Sequence, residues 1–105
     1  MFELTTGSNE SGKKIIILSG EIDIYSAPDF KDSLFNAIGE GKEDVVLDCT
    51  NLSYIDSMGL GILVAALKRL KQNDFNLYIR NSKPNIRKLF KITGLEKVFI
   101  MEEAK

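Results

Sequence analysis

The sequence predicts an α/β fold: one mixed, mostly parallel sheet of about five strands, with helices mainly on one side. Two observations carry this. Short apolar strands alternate with amphipathic helical stripes, on connections short enough to demand crossovers. The first two strands are instead joined by a polar turn, which adds an antiparallel hairpin at one edge. With 105 residues, 44% hydrophobic and 28% charged, the chain suits a single domain with one core.

The elements follow in order. Phe2 to Thr6 reads as a strand, Gly7 to Gly12 as a polar turn, and Lys14 to Gly20 as the second strand. Ser26-Ala27-Pro28-Asp29 is a helix start, with serine as cap, proline in the first turn and an acid following. Phe30, Leu34, Ala37 and Ile38 supply the apolar stripe, and Gly39 and Gly41 end the helix. Asp44 to Cys49 reads as a buried strand and Asn51 to Tyr54 as a loop. A helix from about Met58 to Gln72 presents Leu60, Leu63, Val64 and Leu67 on one face, with Lys68, Arg69 and Lys71 in its last turns. Phe75 to Arg80 is a further strand. Ser82-Lys83-Pro84 opens a third helix carried by Ile86, Leu89 and Phe90 and closed by Gly94. Lys97 to Met101 is a last short strand before an acidic tail.

Bulk composition narrows the chemistry. A net charge of -1 with interspersed signs argues against nucleic acid as a direct ligand. The longest apolar runs are far too short to span a bilayer. Met1-Phe2-Glu3-Leu4 lacks the basic start and apolar core of a signal peptide, so a cytoplasmic location is expected. The single cysteine fits that reducing compartment, with Cys49 expected as a small buried residue. With no histidine, Ser-His-Asp and Cys-His nucleophiles and histidine metal sites are unavailable. Neither a metal nor a cofactor is expected, and a self-contained enzyme is disfavoured.

Attention falls on Ile55-Asp56-Ser57-Met58-Gly59-Leu60-Gly61, at the start of the second helix. Ser57 there is a helix cap, a nucleophile or a phosphate acceptor. Capping by Asp56 or Ser57 is worth about 0.5–2 kcal/mol, but one helix start needs only one such residue. The helix dipole would favour a phosphate on Ser57. Gly59 and Gly61 each cost about 1 kcal/mol relative to alanine, tolerable where another surface approaches the backbone. Met58, Leu60 and Ile62 cannot all face the core, so some apolar surface is expected beside the serine. A second candidate is Gly20-Glu21-Ile22-Asp23, where a strand delivers carboxylates to the rim at which open α/β sheets gather ligands.

Taken together, Gly20-Glu21-Ile22-Asp23, Ser26-Ala27-Pro28, Val46-Leu47-Asp48 and Ile55-Asp56-Ser57-Met58-Gly59-Leu60-Gly61 resemble the STAS domain family. Within it, the chain is similar to the free-standing bacterial anti-sigma factor antagonists, across essentially its whole length. The resemblance implies a single STAS domain over residues 1–105. It implies that Ser57 is the serine phosphorylated from ATP by an anti-sigma factor with serine kinase activity. Asp23 would be the rim acid used in docking, and Asp56, Met58, Gly59, Leu60 and Gly61 the remaining docking residues. The unphosphorylated form would bind the anti-sigma factor and free the sigma factor, and a PP2C-type phosphatase would reset the switch.

Two alternatives compete. A response-regulator receiver would use Glu21 and Asp23 as its acid pair, Asp48 as phosphoacceptor and Lys83 as its lysine. Only one helix separates those acids from Asp48, one strand and one helix too few for that fold. The other alternative is a nucleotide-binding or scaffold STAS module of a stress-signalling assembly, although no Gly-x-x-x-x-Gly-Lys phosphate loop is present.

Overall fold

The branched apolar residues of the strands set the sheet, and the computed structural model describes it over residues 1–102. The end of the acidic tail, residues 103–105, lies outside the described residues. Strand β1 (Phe2–Thr6) pairs antiparallel with β2 (Lys13–Ile22), from Phe2 opposite Gly20 to Thr6 opposite Ile16. Strands β3 (Asp44–Ile55), β4 (Leu77–Arg80) and β5 (Ile100–Glu102) add on in parallel, giving the order β1-β2-β3-β4-β5. Helices α1 (Ala27–Ile38), α2 (Ser57–Lys71) and α3 (Pro84–Ile92) make the crossovers.

One face of the sheet holds the core. Ile16, Leu47 and Ile79 lie side by side in register. They share one buried cluster with Phe30 and Leu34 of α1, Leu63 and Leu70 of α2, and Ile86 and Phe90 of α3. All three helices therefore cover the same face, as a run of right-handed crossovers in one direction requires. Among the described residues the other face carries no helix. There the Lys13 ammonium sits 4.1 Å from the Tyr78 ring centroid, and Arg80 pairs with Glu102 at 3.1 Å and Glu10 at 3.5 Å.

The largest departure from the sequence reading is in β3. The expected loop Asn51 to Tyr54 is strand, continuing to Ile55 with Leu52 and Ile55 buried. Register shifts between Ile17 and Ser19 and between Gly20 and Glu21 break the alternation that would have revealed it. Because β4 stops at Arg80, this extension pairs only with β2. The Asn85 side chain of α3 donates to the exposed Ser53 carbonyl at 3.2 Å, and the Ser53 hydroxyl donates to the Gly20 carbonyl at 2.9 Å.

Smaller boundaries also move. The second strand runs on to Ile22, the fourth begins at Leu77, and a short 3-10 helix (Leu95–Lys97) displaces the last strand to Ile100. Ser26 stands at the N-cap of α1 without capping it through its side chain, and within Ser82-Lys83-Pro84 the N-cap of α3 is Lys83. The terminators hold: Gly39 (φ 66°) and Gly94 (φ 76°) both adopt positive φ, which glycine reaches at little cost, and Gly94 does so in the left-handed conformation that ends helices.

Candidate functional site: the rim where β2 and β3 end

Two neighbouring parallel strands finish together and deliver their loops to one rim. Ile22 lies opposite Ile55, and the Asp56 amide donates to the Ile22 carbonyl at 3.2 Å. The loops carrying Asp23 and Ser57 thus leave the sheet side by side.

The first loop is locked by its own side chains. The Asp23 carboxylate accepts from the amides of Tyr25 and Ser26, both at 3.0 Å, and from the Ser26 hydroxyl at 3.1 Å. In return, the Asp23 amide donates to the Ser26 hydroxyl at 3.0 Å. Ser26 is spent on this exchange, which is why it does not cap α1 with its side chain. The hydrogen bond from the Ser26 amide, aided by the Ser26 hydroxyl and the Tyr25 amide, outweighs desolvation and holds the Asp23 carboxyl below its ordinary range. Asp23 therefore organises the loop as well as charging the rim, a role its sequence context did not reveal. At the loop's tip Ile24 is 58% exposed and Tyr25 90% exposed.

In the second loop the two cap-competent residues divide. Asp56, with extended backbone, accepts from the amides of Met58 at 3.0 Å and Gly59 at 3.1 Å. It is the cap, and Ser57 is the first residue of α2. The Ser57 side chain is exposed and makes no hydrogen bond among the described residues. Met58 beside it is half exposed, at 51%.

The following residues also separate. Gly59 and Leu60 are buried. A Cβ on Gly59 would lie 2.5 Å from Cγ1 of Ile55 and 2.9 Å from Cγ2 of Ile22. The close approach that requires this glycine is thus made by the domain's own strands rather than by an incoming surface. Gly61 is exposed, and a Cβ there would meet nothing within 4 Å. The outward part of the motif reduces to Ser57, Met58 and Gly61.

The β2–α1 loop separates two depressions. One, of about 460 Å³, is bounded by Met1, Phe2, Asp23, Tyr25, Ser26 and Asp29, so the carboxylates of Asp23 and Asp29 share it with the N-terminal ammonium. The other, of about 360 Å³, runs between α1 and α2 and is bounded by Ile24, Ala27, Pro28, Lys31, Met58 and Ile62. Sequence reasoning missed Ile24, Tyr25 and Lys31. Two large apolar residues between Asp23 and Ser26, in a turn, were the available signal.

Other candidates lie apart from this rim. Asp48 is opposite Ile17, on the helix-free face, with its carboxylate held by the amide and hydroxyl of Thr50. Six steps along the chain lead from Ile17 to Asp23, about 20 Å of extended backbone, so no receiver-type acid cluster forms. Cys49 is buried, and desolvation, with the Asp48 charge, pushes its thiol up to about 12. Among the described residues no group of three or more histidine, cysteine, aspartate or glutamate side chains could hold a metal. None of the helices there is long and apolar enough to cross a membrane.

The sequence pattern of the STAS domain matches residues 6–104. The chain belongs to the STAS domain family. Over 86 residues this STAS domain is 43% identical to the anti-sigma-B factor antagonist of Staphylococcus epidermidis, covering 82% of this chain and 80% of that protein. Its fold is similar to that of the anti-sigma factor antagonist SpoIIAA in its unphosphorylated form, with a TM-score of 0.78 and 22% identity over 98% of this chain and 89% of that one. It is also similar to the Bacillus cell fate determinant SpoIIAA in the phosphorylated form, at a TM-score of 0.72 and 23% identity, covering 98% and 92%.

Proposed function

We propose that this STAS domain is an anti-sigma factor antagonist whose binding is switched off by phosphorylation of Ser57. The observation that carries the reading is the division between Asp56 and Ser57. The cap is made by the carboxylate, so the hydroxyl is free at the helix start and exposed beside Met58. The relatives named anti-sigma-B factor antagonist supply the partner class.

The chemistry needs nothing from this chain but an acceptor. An anti-sigma factor with serine kinase activity transfers the γ-phosphoryl group of ATP to the Ser57 oxygen, releasing ADP, and takes up the hydroxyl proton. A PP2C-type phosphatase then hydrolyses the ester to serine and inorganic phosphate. Both steps occur in the cytoplasm, where ATP is available, and the chain itself is not an enzyme.

Charge explains the switch. Phosphate adds about -1.5 to -2 units near neutral pH. At the N-terminus of α2 that charge meets the positive end of the dipole, so the domain stays folded. At a docked surface it would be desolvated beside Asp56 and near Asp23, at a cost of several kcal/mol. Each 1.4 kcal/mol is about tenfold in affinity, so one phosphate is sufficient to release the partner.

The decisive experiment incubates the purified chain with candidate anti-sigma factors and ATP, maps the phosphate by mass spectrometry, and measures complex formation before and after. Phosphate at Ser57 with loss of the complex is the expected result. Absence of both binding and phosphorylation across the candidates overturns the reading.

A further inference from the structure

The groove between α1 and α2 is apolar along its walls and carries one cation at its edge. Met58 and Ile62 stand one turn apart on α2, and Ala27 and Lys31 one turn apart on α1, so two helical stripes face each other. Ile24 and Pro28 complete the walls. Ile24 in the β2–α1 loop and Met58 in the first turn of α2 are both more than half exposed, an unusual placement for two neighbouring large apolar side chains. Lys31 is exposed and makes no ion pair or hydrogen bond among the described residues, and its ammonium lies 6.0 Å from the Phe35 ring centroid. Asp23 and Asp29 lie on the other side of the β2–α1 loop, in the depression that Met1 also lines.

We propose that this groove receives an apolar side chain of the anti-sigma factor with a carboxylate beside it, and that Lys31 pairs with that carboxylate to set partner specificity. The inference rests on the Ser57 reading above and adds the partner's chemistry to it. An apolar anchor in a groove of about 360 Å³ loses water on several sides, the geometry of an interface hot spot. The Lys31 stem extends the apolar wall while its ammonium stays at the rim. A rim ion pair contributes little raw affinity, but it steers approach and penalises partners with the wrong charge.

The same pairing links recognition to release. Ser57 directly precedes Met58, which forms a wall of the groove. A carboxylate drawn in by Lys31 is repelled once a phosphate occupies Ser57. The charge that identifies the unmodified antagonist is therefore one that senses the modification.

The test measures the Kd between the full chain and the anti-sigma factor that phosphorylates it, by calorimetry at low and at physiological salt. Lys31→Glu is expected to raise Kd about tenfold at low salt, and Lys31→Gln about two- to fivefold. Salt should weaken the wild-type complex more steeply than the Lys31→Gln complex, a readout that a packing role for Lys31 would not move. Changing the facing acid of the anti-sigma factor to lysine should restore binding to Lys31→Glu. Wild-type affinity in Lys31→Glu, with Ser57 phosphorylation still releasing the partner, overturns this inference and leaves the switch standing. A wild-type chain that neither binds nor is phosphorylated overturns both.

Discussion

The Asp56 carboxylate accepts the Gly59 amide at 3.1 Å, closing the first turn of α2 and leaving the side chain of Ser57, which lies between them in the chain, without a hydrogen bond among the described residues. Structure and signal are assigned to adjacent residues. The two can therefore be separated by substitution.

Asp56→Ala should destabilise the domain by about 1 kcal/mol, because both amides lose their acceptor. Ser57→Ala should stay within about 0.5 kcal/mol of wild type, as expected of a surface change. Thermal unfolding followed by circular dichroism compares them. A Ser57→Ala domain as unstable as Asp56→Ala would return Ser57 to a capping role. Incubated with kinase and ATP, Ser57→Ala should take up no phosphate while still binding the anti-sigma factor.

The two glycines of the motif should respond in opposite directions. Gly59→Ala places a Cβ against Ile55 and Ile22, so a loss of about 1–3 kcal/mol is expected from overpacking. Gly61→Ala meets open space and should stabilise α2 by about 0.5–1 kcal/mol. Chemical denaturation measures both. If Gly61→Ala is stabilised yet binds the anti-sigma factor less well, the partner's surface approaches the helix at that point.

Asp23 should show its hydrogen bonds in acid. Its carboxyl is held below the ordinary range, so its contribution is present above the unfolded value of about 3.9 and is lost as pH falls through the lower folded value. Asp23→Asn should therefore be less stable than wild type at neutral pH. The gap should narrow as pH drops below about 4. A gap that is unchanged by acid would mean that the charge does not support the loop.

Cys49 should be inert while the domain is folded. With its thiol pushed up to about 12, alkylation at mildly basic pH should proceed only as fast as the chain opens. Linkage runs the other way here: the raised pKa leaves stability intact below the unfolded value of about 8.5 and erodes it as pH rises from there towards 12. Cys49→Ala should lose stability less steeply over that window, measured as the change in Tm between neutral and strongly basic buffer.

The sequence was most legible where one periodicity ran unbroken. The stripes of α1 and α2 and the apolar runs of β2 and β3 placed the sheet, its hairpin edge and the side the helices occupy. It was least legible where a side chain had two possible partners. Ser26 looks like a cap until Asp23 is found to claim it, and Asn51 to Tyr54 looks like a loop because two register shifts hide the alternation. At the rim, the choice between Asp56 and Ser57 as cap depended on backbone direction, which residue type alone does not fix. Exposure was also hidden in the β2–α1 loop, where Ile24 turns outward although it is a branched aliphatic close to a helix start.

The order of the strands in the sheet is their order in the chain. A polypeptide leaving the ribosome would meet no strand that must wait for a distant one; each new unit finds its neighbour already made. Each parallel pairing closes through a single intervening α-helix, as between Ile16 and Leu47, so no pairing has to reach across the whole chain. The Ser57 rim is built from β2, α1, β3 and the start of α2. The regulatory surface of this domain is accordingly encoded in one continuous stretch of the chain, ahead of β4, α3 and β5.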